Sequence, residues 1–187
     1  MLNAKDLAML MRKSNKLVIE KLDNTEYMIT DTYIMVRLSQ LEFSEFFSKW
    51  NSYKTTATIP FDFEATISSI EGADFVEDDL DMSMVTRQVK NSKYQVEISD
   101  FTKYLDEKEA RIYKAGSELC LFDVKYNFLL DKGDDYRSAG KLDPLYVLKD
   151  DVVQAVIMPI RGKEKGMTLK EELEALIERW TRSTKTA

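Results

Sequence analysis

The sequence predicts an α+β fold in which short helices pack on antiparallel β-meanders. Three observations carry that expectation. Apolar spacing switches from helical to strand-like within the first forty residues, and a similar helix-then-meander pattern returns after residue 93. The third is a capping box, Thr168-x-x-Glu171, set against an apolar stripe of Leu169, Leu173, Leu176, Ile177 and Trp180, which marks a C-terminal amphipathic helix.

The first helix opens at Asn3, whose side chain is suited to cap it, and carries Leu7, Leu10, Met11 and Ser14 on one face. Arg12 and Lys13 fall near its C-terminal end, where the helix dipole favours cations. From Lys16 to Leu22 the residues become apolar and β-branched, and Asp23-Asn24 is turn chemistry. Alternation over Glu26 to Thr30, a turn at Asp31-Thr32 and a run from Tyr33 to Leu38 complete a three-stranded meander. Phe43, Phe46, Phe47 and Trp50 fit one face of a second helix. Strands are expected over Thr55 to Ile59 and Phe61 to Ile70, broken at Pro60, followed by an acidic loop or linker from Glu71 to about Lys93.

Beyond it the pattern predicts a strand at Tyr94 to Ile98, then a helix capped by Ser99 or Asp100 and running to Glu107. Strands follow at Ala110 to Lys114, Glu118 to Asp123 and Lys125 to Leu130. The polar stretch from Asp131 to Asp143 reads as an exposed loop, and Pro144 to Leu148 with Val152 to Ile160 as a hairpin turning at Asp150-Asp151. Val18-Ile19 matches Ile112-Tyr113, and Asp6-Leu7 matches Asp100-Phe101, at an offset of 94; Tyr33, Met35 and Val36 match Tyr126, Phe128 and Leu129 at 93. Two helix-meander units, 1–93 and 94–187, or two halves of one pseudosymmetric domain, both fit this offset.

Composition narrows function. With 44% hydrophobic and 32% charged residues the chain belongs with globular proteins, and no apolar run is long enough to cross a membrane as a helix. The N-terminus interleaves charge with Leu and Met, unlike a signal peptide, so a cytoplasmic location is expected. Histidine is absent, which removes the Ser-His-acid triad, the Cys-His dyad and histidine metal ligands. The single cysteine, Cys120, sits among Leu119, Leu121 and Phe122 as a buried small hydrophobe, so thiolate zinc sites go too. No Gly-rich phosphate loop occurs among the six glycines. A net charge of −6 argues against a surface coated with phosphate-binding lysines, yet leaves room for a local basic stripe. The expectation is a binding protein without catalytic residues, cofactor or metal. A protein partner is favoured, while duplex DNA and self-association stay open.

Two segments point to a family. ITDTYIMVRL, residues 29 to 38, resembles the strand pair near the start of DNA sliding-clamp domains, where a T-D-[GA]-x-x-[LIM] pattern follows a helix and a strand. DPLYVLKDDVVQAVIMPIR, residues 143 to 161, resembles the terminal strands of bacterial and archaeal clamps, with a Pro-Leu entry and an apolar-Met-Pro-apolar-Arg end. Thr32 stands where the pattern has Gly or Ala. The resemblance implies a duplicated helix-meander fold and a non-enzymatic role in DNA metabolism, here in the compact style of a phage or mobile element. It also implies an apolar groove for client peptides and lysines on inward helices for duplex DNA. Lys5, Arg12, Lys13 and Lys16 on the first helix, with Lys103 and Lys108 on the corresponding second one, are the candidate phosphate contacts.

Two rival readings use other residues. The acidic clusters Glu77, Asp78, Asp79 and Asp81, and Asp131, Asp134 and Asp135, suit an anti-CRISPR or anti-restriction inhibitor that presents carboxylates in place of phosphates. Asp123-Val124-Lys125 resembles half of the PD-(D/E)-x-K nuclease motif, for which Asp100 or Asp106 would supply a further Mg²⁺ ligand.

Overall fold

The computed structural model describes residues 3–53, 66–70, 74–105, 108–140 and 143–160. The fold is α+β, built on an antiparallel sheet of eleven strands. Chain order runs α1 (Ala4–Met11), β1 (Lys16–Lys21), β2 (Glu26–Thr30), β3 (Ile34–Ser39) and α2 (Gln40–Tyr53). Then come β4 (Thr66–Ile70), β5 (Val76–Glu77), α3 (Met82–Arg87) and β6 (Tyr94–Leu105). The rest is β7 (Lys108–Ala115), β8 (Glu118–Asp123), a 3₁₀ helix over Val124–Lys132, β9 (Asp135–Ser138), β10 (Leu145–Lys149) and β11 (Val152–Ile157). Across the sheet the order is β5-β4-β1-β2-β3-β11-β10-β9-β6-β7-β8.

Strand alternation decides what each face buries. Leu17, Ile19, Ile29, Ile34, Val36, Leu145, Val147 and Ile157 join the main core, which also takes Leu7 and Met11 of α1, Phe46 and Trp50 of α2 and Leu129 of the 3₁₀ helix. Their strand neighbours Val18, Met28, Met35, Tyr146, Leu148 and Val156 form a second cluster on the opposite face, closed by Met82 of α3. The central strands are therefore covered on both sides, which explains their unbroken apolar runs LVI, IMV and LYVL.

Both helices on the main-core face have sequence-encoded starts. Asn3 accepts from the backbone N–H groups of Lys5 and Asp6, and Ala4, Leu7, Ala8 and Met11 bury one stripe. Ser39 and Glu42 form a capping box at α2: Ser39 Oγ accepts from Glu42 N at 3.3 Å, and Glu42 Oε2 accepts from Ser39 N at 2.9 Å. Phe43 stacks on Tyr27 of β2 with ring centroids 4.0 Å apart, fixing α2 against the meander. Cys120 is buried, as its neighbours predict.

Four expectations need correction. Of the helix expected over 99–107, residues 99–105 are strand: β6 runs to Leu105 and pairs with β7, with a register shift between Ile98 and Thr102. Ser99 accepts from Phe101 N there, so its cap-like chemistry makes a bulge. The strand expected at Lys125 to Leu130 is the 3₁₀ helix, started by Asp123 accepting from Lys125 N. The loop from Asp131 to Asp143 contains β9, and the stretch to Lys93 contains β5, α3 and a 3₁₀ turn at Gln88–Asn91. Consequently the offset of 93 to 94 aligns α1 with β6, and β3 with the 3₁₀ helix, so among the described residues these matches do not set like elements against like. The strands expected at Thr55 to Ile59 and from Phe61 to 65, and the C-terminal helix, lie outside the described residues.

Candidate functional site

Where β3 meets β11, distant parts of the chain form one open cleft of about 610 Å³. Ala155, Val156 and Ile157 pair with Val36, Met35 and Ile34, and Met158 N donates to Tyr33 O at 2.9 Å. That ladder places Met158, Pro159 and Ile160 beside the Asp31-Thr32-Tyr33 turn. Ile160 N then donates to Leu121 O at 2.8 Å, drawing β8 and the start of the 3₁₀ helix to the same place. The C-terminal end of α1 forms the remaining wall through Leu10, Lys13 and Ser14, and Ser14 Oγ donates to Asp31 O at 3.0 Å. A smaller neighbouring hollow of about 310 Å³ shares Leu10, Lys13 and Lys125 and adds Arg12 and Phe128.

The acids lining the cleft are hydrogen-bonded within the fold. Asp31 is 4% exposed, and its Oδ1 accepts from Tyr33 N at 2.9 Å and Ile34 N at 3.0 Å. Burial pushes its carboxyl above the usual aspartate value despite those bonds and the Lys125 charge. Asp123 uses Oδ1 to accept from Lys125 N at 3.1 Å, and its Oδ2 lies 2.9 Å from Lys125 Nζ. Lys125 Nζ also sits 4.8 Å from the centre of the Tyr126 ring. Although burial opposes it, Asp123 and Tyr126 hold the Lys125 ammonium above the ordinary lysine value.

The sequence-predicted residues separate into different places. Lys13 and Lys108 both line the cleft, although Lys108 begins β7 and Lys103 belongs to β6, so neither lies on a second helix. Lys5 lies with Ser44, Ser48 and Lys49 in a shallow depression between α1 and α2. Lys16 is held by Asp78 at 2.7 Å. Lys13 and Lys108 thus share the cleft, Arg12 and Lys13 the neighbouring hollow, and Lys5 and Lys16 have other surroundings.

The acidic clusters are partly internal structure. Asp78 pairs with Lys16, Asp81 caps α3 and reaches Arg87 at 3.5 Å, and Asp135 lies 2.8 Å from Arg137. Hydrogen bonding holds Asp78 and Asp81 below the usual aspartate value. Asp100, one proposed partner for Asp123, is ion-paired with Arg111 at 3.1 Å and fully open to solvent; Asp106 lies outside the described residues. Among the described residues no three Asp, Glu or Cys side chains gather as metal ligands. Asp31, Tyr33 and Met158 are among the cleft residues that sequence reasoning passed over as site residues. The signal lay in the two clamp-like segments themselves, which contain all three.

No protein-family model, curated protein or solved structure matches this chain. Among the described residues no helix is long and apolar enough to cross a membrane.

Proposed function

We propose that this chain is a non-enzymatic, clamp-like binding protein whose working surface is the cleft between β3, β11 and the end of α1. One observation carries the reading: residues 29–38 and 143–161, the two segments that resemble sliding-clamp strands, line the same cleft through Asp31, Thr32 and Tyr33 on one side and Met158, Pro159 and Ile160 on the other. A concave surface with an apolar floor and a few placed polar groups suits capture of a partner's side chains. The apolar residues beside Lys13 and Lys108, among them Leu10, Met158, Pro159 and Ile160, favour a protein segment over duplex DNA as the direct ligand. Neither rival gathers comparable support: of the seven acids the inhibitor reading uses, Asp78, Asp81 and Asp135 are engaged in a cap or ion pairs, and Asp123 of the nuclease reading is paired with Lys125.

The test is selection from a random peptide library on the immobilised full chain. Selected peptides should compete with one another, and Tyr33→Ala and Met158→Asp should each weaken them at least about tenfold. Salt-sensitive retention of duplex DNA, untouched by either substitution, would overturn the reading.

A further inference from the structure

We infer that the cleft takes an acid-bearing, apolar-anchored peptide segment of a partner protein; this rests on the cleft being the binding surface, as proposed above. The charges around the cleft are unequally engaged. Asp31 and Asp123 both line it, Asp31 accepting from the backbone amides of Tyr33 and Ile34, and Asp123 accepting from the Lys125 amide and pairing with its ammonium. Lys13 and Lys108 are exposed on the rim, and neither has a carboxylate partner among the described residues. Lys125 remains 45% exposed, held in position by Asp123. An incoming ligand therefore meets two ammonium groups without a carboxylate partner among the described residues, Lys13 and Lys108, beside the Asp123–Lys125 pair and an apolar lining, on a chain whose net charge is −6. Local cations that stand against the overall charge select ligands by complementarity and exclude basic ones.

A peptide matches this arrangement better than a single-stranded nucleic acid. Leu10, Met158, Pro159 and Ile160 give the cleft an aliphatic lining suited to a Leu or Phe anchor, whereas nucleic-acid strands are held on successive aromatic platforms along a continuous basic groove. Exposed aromatic surface in the cleft is concentrated at Tyr33, which is 61% exposed.

The experiment measures fluorescence anisotropy of short labelled peptides sharing a Leu-Phe anchor and differing only in flanking Asp, Ser or Lys residues, with the intact chain. The Asp peptide should bind about tenfold or more tighter than the Ser peptide at low salt and lose most of that advantage at high salt. Lys13→Glu combined with Lys108→Glu should remove the difference between the Asp and Ser peptides. Both substituted positions are exposed, so the fold should be retained. Equal binding of Asp and Ser peptides, both lost in Tyr33→Ala, would overturn the acidic preference and leave the cleft as the binding surface. Binding that Tyr33→Ala and Met158→Asp leave unchanged, or no peptide binding at all, would overturn both. A labelled oligothymidylate that displaces the Asp peptide and binds more tightly would overturn the peptide assignment.

Discussion

Thr32 turns the chain between β2 and β3 with φ at +78°, a backbone region that β-branched residues rarely occupy. Its N–H donates to Thr30 Oγ1 at 3.0 Å, while Thr30 Oγ1 donates to Ile34 O at 2.6 Å and Asp31 holds the next two amides. The hydrogen bonds around it thus hold Thr32 in place against its own preference, at the rim of the cleft. Glycine at this position removes the steric cost but adds freedom to the unfolded chain, and the first effect is the larger. Thr32→Gly should therefore raise the free energy of unfolding by up to about 1 kcal/mol in urea titration. A loss of stability of that size would show that the threonine side chain makes a contact outweighing its strain.

Between elements, the link from the 3₁₀ helix to α2 depends on a partly buried pair. Lys132 Nζ donates to Arg37 O and lies 3.4 Å from Glu42 Oε1, while the same Glu42 caps α2 through Ser39. Burial lowers Lys132 below the ordinary lysine value. For Glu42 burial acts upward, but the Ser39 amide and Lys132 outweigh it and hold the carboxyl below its ordinary value of 4.5. A carboxyl whose folded value is depressed stabilises the protein above its unfolded value, and that contribution fades as pH falls through the folded one. Glu42→Gln should cost about 1 to 2 kcal/mol at neutral pH. The difference from wild type should shrink as unfolding is measured at pH values progressively below 4.5. A difference independent of pH would mean that the cap acts through shape and not through charge.

How far the elements were legible follows from such local chemistry. The first meander was readable because turn residues and alternation agree, and Asn3 caps α1 as its side chain suggests. The region around Ser99 was misread because cap-forming residues also serve bulges, and only pairing with β7 decides between them. Over 124–132 a usable signal was present: Tyr126, Leu129 and Leu130 are buried at positions i, i+3 and i+4, a helical spacing hidden inside a run that looks β-prone. The cleft itself was not legible from spacing, since Lys13, Asp31, Lys108, Asp123 and Met158 converge only through the β3–β11 ladder and the Ile160–Leu121 bond.

For the whole molecule, that ladder is the decisive join. β3 and β11 are separated by more than a hundred residues, yet they are neighbours in the sheet, so strands from both sides of residue 93 share one hydrogen-bonded surface. Ala155 is fully buried opposite Val36, in the main core and near the middle of the strand order. At the edge, β5 is two residues long and Val76 is 61% exposed. Stability should follow this geometry, with β2, β3, β11 and β10 opening only on global unfolding and β5 opening locally. Ala155→Asp places a carboxylate with no partner into the core and should cost about 4 kcal/mol or more, whereas Val76→Lys should change stability by less than about 0.5 kcal/mol. Hydrogen exchange resolved by peptide should show slowest exchange over 34–36 and 155–157 and fastest exchange at 76–77 in the wild type. If Ala155→Asp kept a wild-type unfolding midpoint, or if 34–36 exchanged as fast as 76–77, β3 and β11 would not be the join that holds the two parts of the chain and shapes the cleft between them.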